Sequence, residues 1–476
     1  MTRLGPHPAA RPAPPAAPGR RVLLAGAAGN LVEWYEFGVY GCLATVLAEL
    51  FFTPAPQAGP AGAGPLLAVY ASFAVAFFLR PAGALLFGRL GDRIGRRPTL
   101  ILVVGLMTLA TTLIGLLPTR ATAGTAAPWL LTLLRALQGL SAGGEFGGAV
   151  ALMTEQAPPG RRGRYGAWQS LTVALGLLAG AATAALLASV LSPQALMSWG
   201  WRIPFLLALP LGLTALKLRR DLPRTPPPQP GATPGPRPDT ARAAPPDATA
   251  GRALATGPRP GADPAPGRWR RGPRPGPGAR ATARTVLLGV GRIMGWSAAG
   301  YTFLVVLPSY LRATLGASLR EALVATALAN LGFAASILPA GILSDRVGRR
   351  PVMLGGALAV TLLALPLLHL LQDPAVPAAA KGAAVCGAGA AVGLLAGPGP
   401  AMLAEMFPAG VRCTGLGLAY ALANAVFSGC AGLVVTALTA GTGSSDVPAY
   451  YAAGACALSV PALAALRGDD HRRALR

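Results

Sequence analysis

Twelve apolar segments of about 20 residues occupy most of this chain. That is the length a helix needs to cross the hydrocarbon core of a bilayer. The segments lie near residues 22–50, 65–87, 98–118, 128–153, 166–191 and 199–218, and then near 284–311, 319–343, 351–371, 379–402, 414–440 and 448–466. Because lipid offers the backbone no hydrogen bonds and the segments lack the alternation of barrel strands, they are predicted to be membrane helices.

The chain also contains an internal repeat. The stretch Gly88-Arg-Leu-Gly-Asp-Arg-Ile-Gly-Arg-Arg97 returns as Gly341-Ile-Leu-Ser-Asp-Arg-Val-Gly-Arg-Arg350, and in both places a proline and a new apolar segment follow. A second pair of landmarks, Glu155 with Arg162 and Glu405 with Arg412, keeps nearly the same offset. Equal offsets at two places indicate duplication. We therefore predict an all-α integral membrane protein with twelve transmembrane helices in two six-helix bundles.

Basic residues are distributed unevenly along the chain, whose formal net charge is +24. With the N-terminus placed inside, most of the 41 lysines and arginines fall in the two tails and the even-numbered loops. This asymmetry predicts that both termini are cytoplasmic and that the protein lies in the cell membrane. A nucleic-acid partner is not expected, because the sequence shows no basic module with base-reading or stacking groups.

The same reading divides the chain into five parts. We predict a disordered cytoplasmic tail at residues 1–21, a bundle at 22–220, a linker at 221–283, a second bundle at 284–467 and a tail at 468–476. The linker is rich in Pro, Gly, Ala and Arg without apolar periodicity, which is typical of disorder. Its arginines either contact an anionic leaflet or belong to a solvated tether.

Polar residues recur on one side of the first predicted helix. Asn30, Glu33, Glu36 and Tyr40 follow one another at intervals of three and four, which places two carboxylates on one stripe. A charge at mid-bilayer costs about 3 kcal/mol on insertion scales, so a wet cavity or a cationic partner is expected. The alternative is that Glu33 only pairs with an arginine of a neighbouring helix and holds the bundle together.

Candidate partners for these carboxylates lie in other helices. Arg80 is in the second segment and Arg135 in the fourth. Small residues at spacings of four along the fourth segment suit close helix packing. The remaining candidates for a solute and proton pathway are Gln138 and Glu145, on the same face as Arg135, and Tyr301, Asn330 and Asn424 in later segments.

Several motifs of other protein classes are missing from the sequence. There is no phosphate-binding G-x-x-x-x-G-K-[ST] loop, which argues against transport driven by an ATPase domain of its own. There is also no H-E-x-x-H, no G-x-S-x-G and no cluster of His and Cys, so neither an enzyme, nor a metal site, nor a cofactor is expected.

The repeated G-x-x-x-D-R-x-G-R-R hairpins and the two sets of six helices resemble the major facilitator superfamily. Four further stretches resemble its metabolite:H⁺ symporter family, which includes transporters of α-ketoglutarate, shikimate and proline or betaine. They are Gly29 to Phe37, Arg135 to Gly148, Trp199 to Phe205, and Ala404 to Pro408. The chain departs from the family pattern at Glu36, where Asp is usual, at Ala84, where Gly is usual, and after the sixth helix, where an acidic stretch is usual.

The resemblance implies that one half rocks against the other around a central site and takes up a small organic solute together with protons. Two arginines near that site favour a carboxylate, since guanidinium pairs bidentately with carboxylates. Proton-coupled export, uptake of betaine or proline as osmolytes, and a membrane sensor whose linker docks a partner remain alternatives. The expected partners are the solute, protons and the bilayer, and the expected state is a monomer.

The repeated hairpins are also predicted to form a cytoplasmic gate. A carboxylate such as Asp92 or Asp345 can cap a helix N-terminus or pair with an arginine across the junction of the halves. The resemblance implies a latch that favours the outward-open state, and Asp92→Asn is expected to impair transport more than binding. The other gate candidates are Arg93, Arg96, Arg97, Glu155, Arg162, Arg346, Arg349, Arg350, Glu405 and Arg412.

Overall fold

The structure, a computed structural model, describes residues 20–53, 62–94, 96–143, 145–220, 279–408 and 411–467. Within these ranges the side chains of Asp92, Arg96 and Glu145 lie outside the described part. The predicted tails, apart from Arg20 and Arg21 of the first, and linker residues 221–278 also lie outside it.

The described part of the chain is helical in both halves. The first half contains α1 (Arg20–Cys42), α2 (Ala44–Leu47), α3 (Gly64–Ile94), α4 (Arg96–Leu116), α5 (Arg120–Ala123), α6 (Ala126–Ala142), α7 (Glu145–Glu155), α8 (Arg162–Val190), α9 (Pro193–Ala195) and α10 (Arg202–Arg220). The second half contains α11 (Ala279–Tyr301), α12 (Leu307–Ala313), α13 (Leu319–Val347), α14 (Arg349–Gln372), α15 (Ala378–Ala396), α16 (Gly399–Met406), α17 (Arg412–Ala423), α18 (Ala431–Thr442) and α19 (Val447–Ala464).

Short π-helical segments join several of these helices into longer spans. They cover Ala48–Phe52, Leu196–Gly200, Thr302–Val306 and Asn424–Gly429. Within the described residues, nine spans are long and apolar enough to cross a bilayer, and two bent pairs qualify if each is one span. These eleven coincide with predicted segments. The remaining segment, 128–153, appears as α6 and α7, with its break in the glycine-rich stretch after Ala142, so the count of twelve stays a prediction.

Helix boundaries follow local chemistry. At the start of α13 the Ser318 hydroxyl accepts a hydrogen bond from the Glu321 amide, while the Glu321 carboxylate accepts one from the Ser318 amide, which makes a capping box. Gly348 separates α13 from α14 at φ 99°, a conformation that favours glycine.

The predicted boundary of the linker is wrong by five residues, because α11 begins at Ala279 and not at 284. Its first turns contain Ala and Arg, which are strong helix formers, so the helix extends beyond the apolar segment from which its start was inferred. In the same way α1 begins at Arg20, two residues before the predicted start.

Glycines bring helices into close contact in equivalent places of the two halves. A Cβ added at Gly139 of α6, or at Gly143 directly after α6, would collide with the backbone carbonyl of Ala76 or Arg80 in α3. In the second half a Cβ at Gly389 of α15 would collide with the carbonyl of Ala329 in α13. The second apolar segment thus packs on the fourth, and the eighth on the tenth, as a duplication requires.

In the described residues several helix pairs join the halves, including α7 with α17 and α8 with α16. Two further pairs bring the halves together at a glycine. In the first pair α8 lies against α13, where a Cβ at Gly341 would collide with Ala167. In the second pair α3 lies against α18 and the π-helical segment before it, where Gly432 faces the ring of Tyr70. We call the end of the bundle where α3 meets α4 and α13 meets α14 the hairpin end, and the opposite end the far end.

Candidate functional site

Two buried arginines lie among aromatic rings between the halves. The Arg80 guanidinium carbon is 4.6 Å from the centre of the Phe37 ring and 4.3 Å from that of Phe77. The Arg135 guanidinium carbon is 4.1 Å from the centre of the Tyr40 ring and 4.8 Å from that of Phe37. Aromatic faces attract cations, and more strongly where water is excluded. We call these arginines with their rings the arginine cluster.

The periodicity of α3 explains why its residues in the arginine cluster lie together. Tyr70, Phe73, Phe77 and Arg80 follow at intervals of three, four and three, so they lie on one face of the helix. The opposite wall comes from the second half, where the ring of Tyr301 at the end of α11 meets the Phe77 ring edge-on at 5.4 Å. The arginine cluster therefore contacts side chains of both halves.

Glu33 pairs with Arg80. Its Oε1 lies 3.3 Å from Arg80 Nη2, and both side chains are buried. The pair connects α1 to α3, as expected for a carboxylate within an apolar helix. This geometry agrees with the proposed pathway and equally with the alternative that Glu33 holds the bundle together.

Glu36 has a different environment from Glu33. Its Oε2 accepts a hydrogen bond from the Thr111 hydroxyl of α4, and its Oε1 has no hydrogen-bond partner among the described residues. The side chain is only 1% exposed. A carboxyl group in such a place is costly as an anion, because burial removes its hydration.

Arg135 is completely buried and only partly paired. Its Nη1 donates to Gln138 Oε1 at 2.6 Å, whereas Nε and Nη2 have no hydrogen-bond partner among the described residues. Gln138 Nε2 in turn donates to the Thr111 hydroxyl at 2.5 Å. A hydrogen-bonded chain thus runs from Arg135 through Gln138 and Thr111 to Glu36.

Two predicted phenols join the cluster. The Tyr40 hydroxyl and the Ser72 hydroxyl are 2.6 Å apart, and the Tyr40 ring lies against Arg135. The Tyr301 hydroxyl is buried without a hydrogen-bond partner in the described residues. Buried hydroxyls usually have a hydrogen-bond partner, so this hydroxyl has an unused donor and acceptor within the described part of the site.

The three predicted asparagines make contacts within their own halves. Asn30 donates to the Thr172 hydroxyl of α8 at 2.5 Å. Asn330 donates to the Leu304 carbonyl at 3.1 Å, and Asn424 accepts from the Ser428 hydroxyl at 2.9 Å. Each therefore has a structural bond in this state. The pathway role predicted for Glu145 falls on a side chain outside the described part.

At the hairpin end Asp345 caps a helix of the other half. Its two carboxylate oxygens accept from the backbone amides of Gly163 and Arg164 at 2.7 and 2.8 Å, in the first turn of α8. Arg349 also donates to Asp345 at 2.7 Å. A carboxylate at a helix N-terminus interacts favourably with the unpaired amides and the helix dipole.

In the part of the chain that the structure describes, two ion pairs cross the same junction. Arg412 of the second half lies 2.6 Å from Glu155 of the first, and Arg162 of the first lies 3.6 Å from Glu405 of the second. Glu405 also binds Arg349 at 3.0 Å within its own half. The repeated Glu and Arg landmarks of the sequence therefore meet each other across the halves.

The remaining gate candidates have other surroundings. Arg93, Arg346 and Arg350 are exposed. Arg97 donates to the Arg220 carbonyl, which ties α4 to the end of α10 within the first half. Asp92 and Arg96 occupy positions equivalent to Asp345 and Arg349, and their side chains lie outside the described part.

Sequence reasoning missed Thr111 and the aromatic residues of α3. The spacing of Phe73, Phe77 and Arg80 was a usable signal, because it marks one helical face. Thr111 gave no such signal, since it lies beside Thr108 and Thr112 in an apolar segment and only the fold distinguishes the three.

Two family models match the chain. The model described as sugar (and other) transporter matches residues 22–227, and the model of the major facilitator superfamily matches residues 285–476. The D-xylose-proton symporter, a solved structure, is 19% identical to the chain, with a TM-score of 0.67 over 93% of this chain and 96% of that one. At that identity the likeness shows the fold.

Curated bacterial relatives are more similar in sequence. The ectoine/proline transporter ProP of Corynebacterium glutamicum is 34% identical over 89% of this chain and 79% of its own length. The alpha-ketoglutarate permease of Escherichia coli strain K12 is 34% identical over 87% and 86%. A citrate-proton symporter of Klebsiella pneumoniae is 31% identical over 89% and 86%.

Proposed function

We propose that this chain, which belongs to the metabolite:H⁺ symporter family of the major facilitator superfamily, takes up a small organic solute that bears a carboxylate and couples its entry to protons. The chain is a transporter with several membrane-spanning helices.

The observation that carries the proposal is the state of Arg135. Two of its three guanidinium nitrogens have no hydrogen-bond partner in the described residues, although the side chain is fully buried. Leaving buried donors unpaired is costly, and the cost is removed when a planar acceptor arrives. A carboxylate matches two such donors at once.

The named solutes of the relatives share this chemistry. Proline, ectoine, betaine, α-ketoglutarate and citrate differ in size and net charge, but each carries a carboxylate. An arginine in the arginine cluster would bind that common group, and the surrounding rings would select the rest of the molecule.

Glu36 is the group best suited to carry the proton. Its carboxyl is buried against α4 and shares no described ion pair, whereas Glu33 is held next to Arg80. When the site opens to the side of lower pH, Glu36 gains a proton, and when it opens to the other side the proton is released. Inward movement of one positive charge gains about 2.3 kcal/mol per 100 mV of membrane potential.

The contacts at the hairpin end would control which side is open. Asp345, Glu155 and Glu405 each bind a group from the opposite half. These contacts hold the hairpin end closed, and they must break before a solute could leave there. The proposed gate therefore acts by stabilising one of two states.

Purified protein in liposomes tests the proposal. We expect an imposed pH difference to drive accumulation of at least one of proline, betaine, α-ketoglutarate and citrate, and a proton ionophore to abolish it. Arg135→Gln should remove uptake, and Glu36→Gln should remove accumulation while solute exchange continues. Accumulation that survives both the ionophore and Glu36→Gln would contradict the coupling, and outward pumping would favour an exporter.

A zwitterionic osmolyte is the second candidate, and the aromatic rings favour it. The ring faces of Phe37, Phe77 and Trp34 already surround one cation, Arg80. The same faces would attract an ammonium group of betaine or proline if Arg80 turned towards the carboxylate. Competition between betaine and α-ketoglutarate for one labelled solute separates the two candidates.

A further inference from the structure

Thr111 occupies a position between the two charged groups of the proposed mechanism. It is fully buried in α4 and contacts Glu36 of α1 and Gln138 of α6. Gln138 is bonded to Arg135. Three helices therefore meet at one hydroxyl group, and that group separates the proposed proton site from the proposed solute site.

The hydroxyl of Thr111 has two acceptors to choose from. It is within hydrogen-bond reach of Glu36 Oε2 and lies 3.0 Å from the Met107 carbonyl of its own helix. A hydroxyl has one hydrogen to donate and two lone pairs that accept. It can thus donate to only one of the two acceptors at a time.

We propose that Thr111 and Gln138 are positioning residues that transmit the protonation state of Glu36 to Arg135. The inference rests on the proposed function, because it assumes that Glu36 carries the proton and that Arg135 binds the solute. Neither Thr111 nor Gln138 needs to touch the solute for this.

With Glu36 ionised, every hydrogen bond of the chain points the same way. Arg135 donates to Gln138, Gln138 donates to Thr111, and Thr111 donates to the carboxylate. A chain that begins at a cation and ends at an anion is polarised along its whole length. Arg135 is then held towards Glu36 and is less available to a solute carboxylate.

Protonation reverses the last bond. The added proton remains on Glu36 Oε2 and is donated to the Thr111 oxygen, while the Thr111 hydrogen turns to the Met107 carbonyl. The oxygen still accepts from Gln138 with its second lone pair, so no partner is lost. The chain no longer ends on an anion, so the bond from Arg135 to Gln138 weakens and Arg135 turns more easily towards the solute. By reciprocity, a bound solute favours protonation of Glu36.

Other charged and titratable groups face the same chain. Glu33 and Tyr35 lie near Glu36 on α1. Tyr40 of α1, Arg80 of α3 and Tyr301 of α11 lie near Arg135. Glu33 and Arg80 form their own pair. The chain through Thr111 is the hydrogen-bonded route between Glu36 and Arg135 in the described residues.

Variants of Thr111 test the inference. We expect the affinity of the wild type for its solute to rise about fivefold or more as the pH falls through the titration of Glu36. Thr111→Val keeps the shape of the side chain and removes the hydroxyl. In this variant the ratio of the solute affinity at low pH to that at high pH should approach one. Accumulation driven by a pH difference should fall more than solute counterflow, and Thr111→Ser should restore both.

Thr112→Val is the matched control. Thr112 is the next residue of α4, is also buried, and its hydroxyl donates only to the Thr108 carbonyl at 2.8 Å among the described contacts. We expect the pH ratio to stay unchanged in this variant. If Thr111→Val does not fold, Gln138→Met breaks the chain at its other bond and should give the same loss.

The outcomes separate this inference from the proposed function. If the wild type shows no effect of pH on binding and no uptake driven by a pH difference, the proposed function fails. If the wild type shows both and Thr111→Val or Gln138→Met keeps them in full, the inference alone is overturned. Failure of Thr111→Ser to restore the ratio would also overturn it, because the hydroxyl would then not be the reason.

Discussion

Arg135 is completely buried, and two of its guanidinium nitrogens have no hydrogen-bond partner among the described residues, so we expect that lysine does not replace it. The guanidinium has five N–H groups in a planar fork, whereas an ammonium group has one compact charge. We expect Arg135→Lys to weaken solute binding at least about tenfold, the equivalent of one lost charged hydrogen bond. Binding to the purified protein measures this, with Arg292→Lys as control, since Arg292 is also buried and donates to the Ala462 carbonyl of α19. Equal weakening in both variants would argue against a solute contact.

The Glu33 and Arg80 pair has either a structural or a transport role, and a double variant distinguishes them. Glu33→Gln leaves Arg80 as a buried charge without its partner, which typically costs about 3–5 kcal/mol of stability. Adding Arg80→Gln removes that charge, so thermal stability in detergent should recover. Uptake should stay lost if Arg80 acts on the solute. Recovery of uptake together with stability would show that the pair only holds α1 to α3.

At the scale of helices, the glycine seam between α3 and α6 fixes the position of the arginine cluster. A Cβ at Gly139 would meet the Ala76 carbonyl, and a carbonyl in a helix cannot turn away. We expect Gly139→Ala to cost about 1–3 kcal/mol, the usual cost of overpacking, and to lower the melting temperature. Gly148→Ala is the control, because no atom lies within 4 Å of its Cβ position. Similar melting temperatures for the two variants would contradict a tight seam.

The sequence predicted most of the membrane spans and few of the contacts between them. Apolar length predicted the spans because lipid sets it, and spacing on α1 predicted that Glu33 and Glu36 share a side. An intramembrane carboxylate needs a partner, so this stripe predicted a buried arginine nearby, and Arg80 pairs with Glu33. Periodicity could not show that Glu36 meets Thr111 and not an arginine, because that depends on how α1 lies against α4. The end of the linker was missed because α11 extends beyond its apolar segment.

At the scale of the molecule, the duplication places the residues of the proposed gate on both sides of the junction between the halves. Asp345 caps α8 of the first half, and Arg412 of the second half pairs with Glu155. We expect Asp345→Asn to shift the equilibrium towards the state open at the hairpin end, by up to about tenfold for a contribution near 1.4 kcal/mol. The shift lowers uptake more than it lowers solute binding.

A cysteine at position 170 reports the opening. The Ser170 hydroxyl donates to the Ala396 carbonyl across the halves at 2.7 Å and is buried, so Ser170→Cys should be labelled slowly while the hairpin end is closed. In a background without the five native cysteines, Asp345→Asn should accelerate labelling from that side. Arg346→Gln, an exposed change in the same hairpin, is the control. Unchanged labelling would show that Asp345 is not a latch.

Among the described residues, an aromatic contact and not an ion pair joins the halves at the far end. The Tyr70 ring fits against Gly432 of α18, and its hydroxyl donates to Ser309 of α12 at 2.8 Å, so both contacts join the halves. Gly432→Ala places a methyl group where the Tyr70 ring lies and should hold the far end open.

In this variant we expect lower uptake and faster labelling of Ser309→Cys from the far side. Gly441→Ala is the control and should change neither, because its Cβ position has no neighbour within 4 Å. Asp345→Asn favours the opposite state, in which the hairpin end is open. Combining it with Gly432→Ala should therefore bring the labelling rates of Ser170→Cys and Ser309→Cys back towards their values without either change. Additive acceleration at both ends would mean that the two ends do not belong to one equilibrium.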